Sequence, residues 1–375
     1  DVFRLNFAHG SHAWLAELVR KIRQVSAELD RPIGLLGDLS GPKIRLGELA
    51  GGETWCQEGA VFRFIRGTES ISSTDLTCTY EPLIDDVRPG DRILLADGTV
   101  AMQVVQKDAA AGWVECQVVQ AGKIRSRQGV NLPGVALSTP SVTEKDRHDL
   151  EWALQQNLDF IGLSFVRRAD DIRQLQALIQ SLKPRFTPLV VAKIEKTEAI
   201  DDLDNILAVT DAVMVARGDL GVEAEISRVP VLQKQIIRRC NQLRIPVITA
   251  TQMLDSMQTN DLPTRAEVTD VANAVLDGTD AVMLSAETAA GKFPLETVQE
   301  MAKICEAAES AEHVELDADF MGQTFARIDQ TIAMGALFTA HHIGAKAIVA
   351  LTESGSTALW MSRHRVHIPI YALTT

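Results

Sequence analysis

The sequence has no hydrophobic run long enough to cross a bilayer and no C-x-x-C pair. It has five cysteines, which lie far apart: Cys56, Cys78, Cys116, Cys240 and Cys305. An odd, scattered set disfavours a disulfide framework or a zinc cluster and suits a reducing compartment. Positive charge is scarce too, because 37 Lys and Arg face 50 Asp and Glu, a net charge of −13. The balance disfavours nucleic-acid and anionic-membrane partners, and we predict a cytoplasmic protein.

Glycine-rich nucleotide-binding loops are absent as well. No G-x-x-x-x-G-K-[ST] segment and no G-x-G-x-x-G segment follows a predicted strand. If the protein binds a nucleotide, it must do so without these two loops.

What the sequence does have is a repeated alternation of short apolar strands with segments of helical period. The predicted strands are residues 3–7, 33–39, 160–165, 189–194, 212–217, 246–251 and 281–286. Nearly every position in them is apolar, which is typical of parallel strands buried on both faces. Between them we predict helices, one over Val229–Leu243 and one that begins with a capping box of Thr143 and Asp146.

Alternating strands and helices predict an α/β fold, here a (β/α)₈ TIM barrel. Seven strands are one short of eight, so we expect the first barrel strand to precede Asp1; a doubly wound open sheet is the alternative. The predicted catalytic barrel covers residues 1–45 and 138–308. A β-barrel-like lid domain covers 46–137. A partial C-terminal α/β domain covers 309–375, opening with an acidic linker at 309–319.

Polar side chains gather at the carboxyl ends of the predicted strands. They are Asn6, Asp38, Ser164, Lys193, Glu195, Arg217, Asp219, Thr249, Thr251, Ser285 and Glu287. In a barrel these ends meet at one mouth, where catalytic residues lie. Any one of these residues has a purely structural explanation, and the repetition across strands is what indicates a site.

Two of these motifs suggest metal chemistry. In AKIEK, Lys193 and Glu195 are two residues apart, so both side chains point to the same side of a strand. They are either a buried ion pair or a cation beside a metal ligand. In ARGDLG, Asp219 is either a turn or cap residue or a second carboxylate for Mg²⁺. The early segments RLNFAHG and DLSGPKIR add four cationic or titratable groups, which are surface charges or contacts for a polyphosphate. They are Arg4, His9, Lys43 and Arg45.

Several segments resemble pyruvate kinases in the order found in that family. They are RLNFAHG, DLSGPKIR, GVNLPG, AKIEK, MVARGDLGVE, ATQMLDSM and the block from PTRAEVTD to AAGKFP. The resemblance implies a barrel with a lid inserted after its third strand, a C-terminal regulatory domain and a homotetramer. It also implies phosphoryl transfer from phosphoenolpyruvate to ADP, giving pyruvate and ATP, with Mg²⁺ or Mn²⁺ as cofactor.

The resemblance also implies roles for particular residues. Glu195 and Asp219 would bind the divalent ion, while Gly218, Asp219 and Thr251 would hold the substrate carboxylate. Lys193 would face the transferring phosphoryl group, with Ser285 and Glu287 supporting it. Arg4 and Arg45 would contact phosphate oxygens. The nucleotide side would comprise Arg4, Asn6, His9, Arg45, Asp97 and Arg127.

The sequence departs from the family pattern at the potassium site. The matching positions are Asn6, Ala8, Asp38 and Leu39, so two of four side-chain oxygen ligands are missing, and Lys43 stands where many members have Glu. We predict that Lys43 substitutes for potassium, a lysine-bearing subtype that needs no such ion. A second departure is Gln128, where the family usually has Lys; Arg127 is the candidate replacement.

Three further expectations concern regulation and alternatives. Residues 352–358, TESGSTA, resemble the loop at which many members bind a sugar-phosphate effector; the effector here could be a sugar phosphate or a nucleotide. One alternative is a relative that binds phosphoenolpyruvate but catalyses poorly, because of Gln128. The other is a metal-dependent aldolase or lyase on a similar barrel, which the inserted lid argues against.

Overall fold

The structure, a computed structural model, describes residues 1–67, 72–311, 328–362, 364 and 368–374. The chain divides into two compact units: Asp1–Ile236 with Ile248–Gln252, and Ile237–Val247 with Met253–Thr375. Within the described ranges, no helix has the length and apolar character needed to cross a membrane.

The first unit is built on a parallel sheet whose strands neighbour one another in chain order. They are Val2–Asn6, Gly34–Asp38, Phe160–Leu163, Leu189–Ile194, Ala212–Ala216 and Val247–Ala250. All five residues of Ala212–Ala216 are buried, as a strand covered on both faces requires. The seventh predicted strand, Ala281–Met283, belongs to the second unit. All seven strands predicted for the barrel are therefore present.

Helices follow these strands as the sequence predicted. They are His12–Glu28, Glu144–Gln155, Ala169–Ser181, Thr197–Asp201, Leu203–Leu207, Arg217–Glu223 and Val229–Leu243, with a 3₁₀ turn at Ile226–Arg228. In Val229–Leu243 the predicted apolar face is buried at Leu232, Ile236 and Cys240, whereas Leu243 in the last turn is exposed.

Residues 44–131 of the first unit form a second, mainly antiparallel sheet with its own core. In sheet order its strands are Ile44–Arg45, Gly129–Asn131, Arg92–Leu95, Val100–Asp108, Trp113–Gln120, Val61–Ile65 and Asp75–Leu76. Glu53–Cys56 pairs separately with Gly122–Arg125, and a short helix covers Leu83–Asp86. We call this part the lid. The chain enters and leaves it side by side, because Gly129 pairs with Arg45 and Val130 with Ile44.

The second unit contains the remaining elements. Its helices are Arg265–Leu276, Ala286–Ala289, Pro294–Ala311, Ile328–His342 and Ser356–Ser362, with a 3₁₀ turn at Asp255–Gln258. The strands Ile348–Leu351 and Ile370–Leu373 pair in parallel, within the part predicted to be an α/β domain. The prediction of a linker from 309 was wrong at its start, because Glu309 to Ala311 continue a helix; residues 312–319 lie outside the described residues.

We expect Thr143→Ala to lower stability by about 1 kcal/mol through loss of a helix N-cap. The Asp146 N–H donates to the Thr143 hydroxyl at 3.1 Å and the Thr143 N–H donates to the Asp146 carboxylate at 2.9 Å, which confirms the predicted capping box. Urea unfolding measures the change. Ser181→Ala, at an exposed helix end, is the matched control and should stay within about 0.5 kcal/mol of the parent. Equal effects of both substitutions would contradict a capping role.

Candidate active site

A buried lysine ammonium group lies at the carboxyl end of the parallel sheet. Lys193 Nζ donates to Ser164 Oγ at 2.6 Å and lies 2.9 Å from Glu195 Oε1 and 3.1 Å from Asp38 Oδ1. Asp38 in turn accepts from Arg4 Nε at 2.6 Å. Three adjacent strands supply these groups, because Asp38 ends one strand, Ser164 follows the next and Lys193 lies in the third. The prediction that strand-end residues converge is confirmed for Asp38, Ser164, Lys193 and Glu195, which Arg4 joins through Asp38.

Charge balance fixes the protonation of this cluster. Burial favours a neutral amine, yet the carboxylates of Asp38 and Glu195 outweigh it and raise the pKa of Lys193 above its ordinary value. Burial likewise opposes ionisation of Asp38, but Lys193 and Arg4 together lower the pKa of that carboxyl. Lys193 is therefore a permanent cation at neutral pH, suited to stabilising negative charge and not to accepting a proton.

Glu195 and Asp219 form the carboxylate pair of the site. Glu195 is 1% exposed, and its Oε2 accepts from the Phe165 N–H at 2.7 Å. Asp219 lies in the first turn of the helix Arg217–Glu223. Burial raises the pKa of Glu195, Lys193 opposes this, and the negative charge of Asp219 raises it further. Two carboxylates that repel each other fit a hard divalent cation such as Mg²⁺, which takes one or two carboxylates and completes its shell with substrate oxygens and water.

Thr251 is held beside the same helix start in a strained conformation. Its hydroxyl accepts from the Gly218 N–H at 2.7 Å and donates to the Ala250 carbonyl at 2.6 Å. Its φ is +71°, which a β-branched residue rarely adopts, and Phe165 has a φ of +55°. Such strain costs about 1–3 kcal/mol per residue and clusters at functional sites. The Gly218 N–H predicted to hold a substrate carboxylate thus has the Thr251 hydroxyl as its partner here.

A cavity of about 350 Å³ lies between the lid and the parallel sheet within the first unit. Lys43 lines it from the segment before the lid, Arg45 and Asp97 line it from the lid, and Asp219 and Lys196 line it from the strand ends. The cavity therefore borders one predicted metal ligand and has cations on several sides. A ligand with several negative charges would match this lining.

Arg127 and Gln128 both have hydrogen-bond partners within the lid. Arg127 Nε donates to Glu48 Oε1 at 2.6 Å, and its backbone carbonyl accepts from Arg45 Nη1 at 3.1 Å. Gln128 Oε1 accepts from the Arg125 N–H at 2.7 Å. The guanidinium group of Arg127 would have to leave Glu48 to reach a phosphate. Its predicted role as a replacement for the missing lysine stays a prediction.

The residues matching the potassium site are arranged around the cluster as follows. Asn6 Oδ1 accepts from the Ala8 N–H at 3.0 Å, and Leu39 is fully buried. Lys43 is exposed and lines the cavity. In the described part of the chain, the ion pairs of Asp38 are with Arg4 and Lys193 and not with Lys43. His9 has an exposed side chain.

Ser285 and Glu287 lie in the second unit, where they start the helix Ala286–Ala289. Glu287 is 1% exposed; its Oε2 accepts from the Ser285 N–H at 2.7 Å and its Oε1 from the Leu254 N–H at 3.3 Å. The Ser285 hydroxyl is buried without a hydrogen-bond partner in the described ranges. Their predicted support of Lys193 stays a prediction.

Four residues of the site were not predicted from the sequence. Arg167 donates to the carbonyls of Leu137 at 2.7 Å and Thr139 at 3.0 Å, where the chain returns from the lid. Lys196 and Glu223 form a buried ion pair that Asn131 joins. The available signal was their position, because Lys196 directly follows Glu195 and Glu223 lies four residues after Asp219.

Comparison with known proteins identifies the family. A family model described as "Pyruvate kinase, barrel domain" matches residues 1–298, and one described as "Pyruvate kinase, alpha/beta domain" matches residues 330–375. Pyruvate kinase 2 of Synechocystis sp. is 47% identical over 99% of this chain and 62% of that protein. A pyruvate kinase of Staphylococcus aureus is 44% identical over 100% of this chain and 64% of that protein. The chain thus spans just under two thirds of the length of these relatives.

Solved structures agree with the sequence matches. A crystal structure of a pyruvate kinase from Cryptosporidium parvum superimposes with a TM-score of 0.93 at 37% identity, covering 100% of this chain and 78% of that one. The predicted α/β fold, a barrel domain followed by a C-terminal α/β domain, is confirmed. The chain belongs to the pyruvate kinase family.

Proposed function

We propose that this protein is a pyruvate kinase, which transfers the phosphoryl group of phosphoenolpyruvate to ADP and releases pyruvate and ATP. The observation that carries the proposal is the Lys193 ammonium, buried between Asp38 and Glu195 beside Asp219. Phosphoryl transfer requires positioning and charge neutralisation rather than covalent chemistry by the protein. A fixed cation and a carboxylate pair at the edge of a cavity provide both.

Glu195 and Asp219 would hold the Mg²⁺ or Mn²⁺ ion. When bound, such an ion neutralises charge on the transferring phosphoryl group and on the substrate oxygens that it contacts. The protein's part is to orient both carboxylates. Lys193 and the Phe165 N–H hold Glu195, and the helix start at Arg217 presents Asp219.

The other proposed roles are those that the resemblance to pyruvate kinases implies. Lys193 keeps its proton and stabilises negative charge first on the phosphoryl group and then on the enolate oxygen, with Ser285 and Glu287 supporting it. The N–H groups at Gly218 and Asp219, with Thr251, would bind the substrate carboxylate. Phosphate and nucleotide contacts would come from Arg4, Arg45, Asn6, His9, Asp97 and Arg127. We assign the barrel to residues 1–45 and 138–308, the lid to 46–137 and the regulatory domain to 309–375.

The lid would protect the reaction from water. Residues 126–131 and Asp97 of the lid border the cavity that Asp219 also lines. Excluding water strengthens electrostatic interactions in the cavity and prevents hydrolysis of the phosphoryl group. We further propose a cytoplasmic homotetramer that responds to a sugar-phosphate or nucleotide effector at residues 352–358.

Turnover of phosphoenolpyruvate and ADP with Mg²⁺ should not require potassium. Asp38, which matches a potassium ligand, already pairs with the cations of Arg4 and Lys193. Ala8 and Leu39 lack ligand oxygens, and Lys43 is a further cation, which lines the cavity. Pyruvate formation by the full-length protein should therefore change by less than about tenfold, or ~1.4 kcal/mol of barrier, when choline replaces potassium.

Variants separate the two parts of this proposal. Lys43→Glu should lower turnover, and potassium should restore it only when Ala8→Ser and Leu39→Thr supply the missing oxygens. Strong potassium activation of the parent protein would refute the substitution by Lys43 while leaving the enzyme intact. No turnover with either cation would favour the alternative of a poorly catalysing relative, for which the engagement of Gln128 with Arg125 is the supporting contact.

A further inference from the structure

A buried ion pair joins the two segments that carry the proposed metal ligands. Lys196 Nζ lies 2.6 Å from Glu223 Oε1, and the two side chains are 6% and 0% exposed. Lys196 directly follows Glu195 in the chain. Glu223 lies one helical turn after Asp219 in Arg217–Glu223, so both project from the same face of that helix. The contact between Lys196 and Glu223 therefore holds the backbone segment that carries Glu195 at a set distance from the helix that carries Asp219.

The lid contributes a third contact to the same oxygen. Asn131 Nδ2 donates to Glu223 Oε1 at 3.2 Å. Asn131 ends the strand Gly129–Asn131, which pairs with Arg92–Leu95 inside the lid sheet. One carboxylate oxygen thus receives donors from the segment after Glu195 and from the lid.

Stability does not explain this arrangement. Glu223 Oε2 is buried and has no hydrogen-bond partner among the described residues, an unfavourable state for a carboxylate oxygen. Burial raises the pKa of Glu223, against the opposing effect of Lys196. Buried ion pairs are often no more stabilising than apolar residues of similar volume. A structural role alone would not retain a carboxylate with one oxygen left without a partner.

We propose that Lys196 and Glu223 are positioning residues that set the distance between Glu195 and Asp219 for the divalent ion, with Asn131 aligning the lid to the same carboxylate. The inference rests on the proposed function, since it takes Glu195 and Asp219 as the metal ligands. Neither Lys196 nor Glu223 contacts the ion. They act through the backbone and helix that present its ligands.

The test is the double variant Lys196→Met with Glu223→Gln, in the full-length protein. Removing both charges together leaves the net charge near the site unchanged and leaves no single charge buried, so a loss of affinity reports geometry and not long-range attraction. Mn²⁺ titration followed by electron paramagnetic resonance, without substrates, gives the dissociation constant. Outer partners of metal ligands typically contribute 10- to 100-fold in affinity, and we expect the dissociation constant to rise by about that factor.

The control pair is Arg66 and Asp85 in the lid, which are half exposed and 2.8 Å apart. Arg66→Met with Asp85→Asn should leave Mn²⁺ affinity unchanged. Lys196→Arg alone, which keeps the positive charge beside Glu223, should retain most of the Mn²⁺ affinity of the parent protein. If the double variant is poorly folded by circular dichroism, Lys196→Met with Glu223→Leu takes its place, because this second pair also removes both charges and the contact between the two side chains.

Parent-like Mn²⁺ affinity in the folded double variant, or in Lys196→Met with Glu223→Leu as its substitute, would overturn the positioning role and leave the proposed function standing. A parent protein that binds no Mn²⁺ would overturn the metal site itself and with it the proposed function. Weakened Mn²⁺ affinity with an unchanged circular dichroism spectrum would support the proposal.

Discussion

Lys193→Met is expected to reduce kcat by about 1,000-fold, the upper range for removing one preorganised donor to developing charge. The ammonium is held in place by Ser164, Glu195 and Asp38 within 3.1 Å, and a Met side chain supplies no charge at that position. Steady-state assays of pyruvate formation measure the loss. The Michaelis constant for phosphoenolpyruvate should change far less than kcat, because the interaction strengthens as charge develops.

The folding of this variant must be measured alongside its activity. Leaving Asp38 and Glu195 without their shared cation should cost about 3–5 kcal/mol of unfolding free energy, as for other broken buried pairs. Lys107→Met is the matched control, because the Lys107 ammonium donates to the carbonyls of Asp85 and Val87 within the lid and is remote from the sheet ends. A folded Lys193→Met protein with kcat close to that of Lys107→Met would refute the assignment.

Asp219→Asn should weaken divalent-ion binding by at least about 100-fold. This exceeds the effect of losing a residue that only hydrogen-bonds to a metal ligand, because Asp219 is itself a proposed ligand. The stability of the metal-free protein at neutral pH should not fall in this variant. The charge of Asp219 raises the pKa of Glu195, which means that ionised Glu195 is disfavoured in the folded protein. The penalty, of which burial is the larger cause, grows as the pH rises from the unfolded pKa of Glu195 and is complete above its folded pKa. Removing Asp219 therefore relieves the part due to its charge at neutral pH and relieves nothing in acid.

Mn²⁺ titration and thermal unfolding at pH 7 and pH 4 check both parts of this expectation. Asp170→Asn is the control, an exposed carboxylate that contacts only Gln174 among the described residues. We expect Asp219→Asn to melt no lower than the parent protein at pH 7 without metal. Parent-like Mn²⁺ affinity would exclude Asp219 as a ligand, and a large loss of metal-free stability would show a mainly structural role.

The contacts within the Lys193 cluster could be predicted because they depend on strand geometry alone. Lys193 and Glu195 are two residues apart and therefore point to the same side of a strand, and Asp38 and Ser164 lie at the ends of the next two strands in the sheet. Apolar runs bounded by polar residues located every strand of the parallel sheet. Local periodicity therefore determined both the sheet and the side chains that its ends bring together.

The remaining site features depend on contacts between distant segments. Lys196 and Glu223 are 27 residues apart, and no local pattern distinguishes this pair from solvated charges. The left-handed backbone at Phe165 and Thr251 could not be predicted from the sequence either, because bulky and β-branched residues usually indicate extended backbone. The pairing of Arg127 with Glu48 is long-range in the same way.

The first and last strands of the lid lie next to each other, which bears on how the lid arose. Its first strand, Ile44–Arg45, and its last, Gly129–Asn131, are antiparallel neighbours, with Gly129 opposite Arg45. Cα atoms at such positions lie about 5 Å apart, a gap that a two-residue hairpin turn closes. Residues 46–128 thus occupy the place of a hairpin tip, where insertions are tolerated. An ancestral barrel could have gained this domain in one genetic event, or a descendant could lose it, without shifting any strand of the parallel sheet.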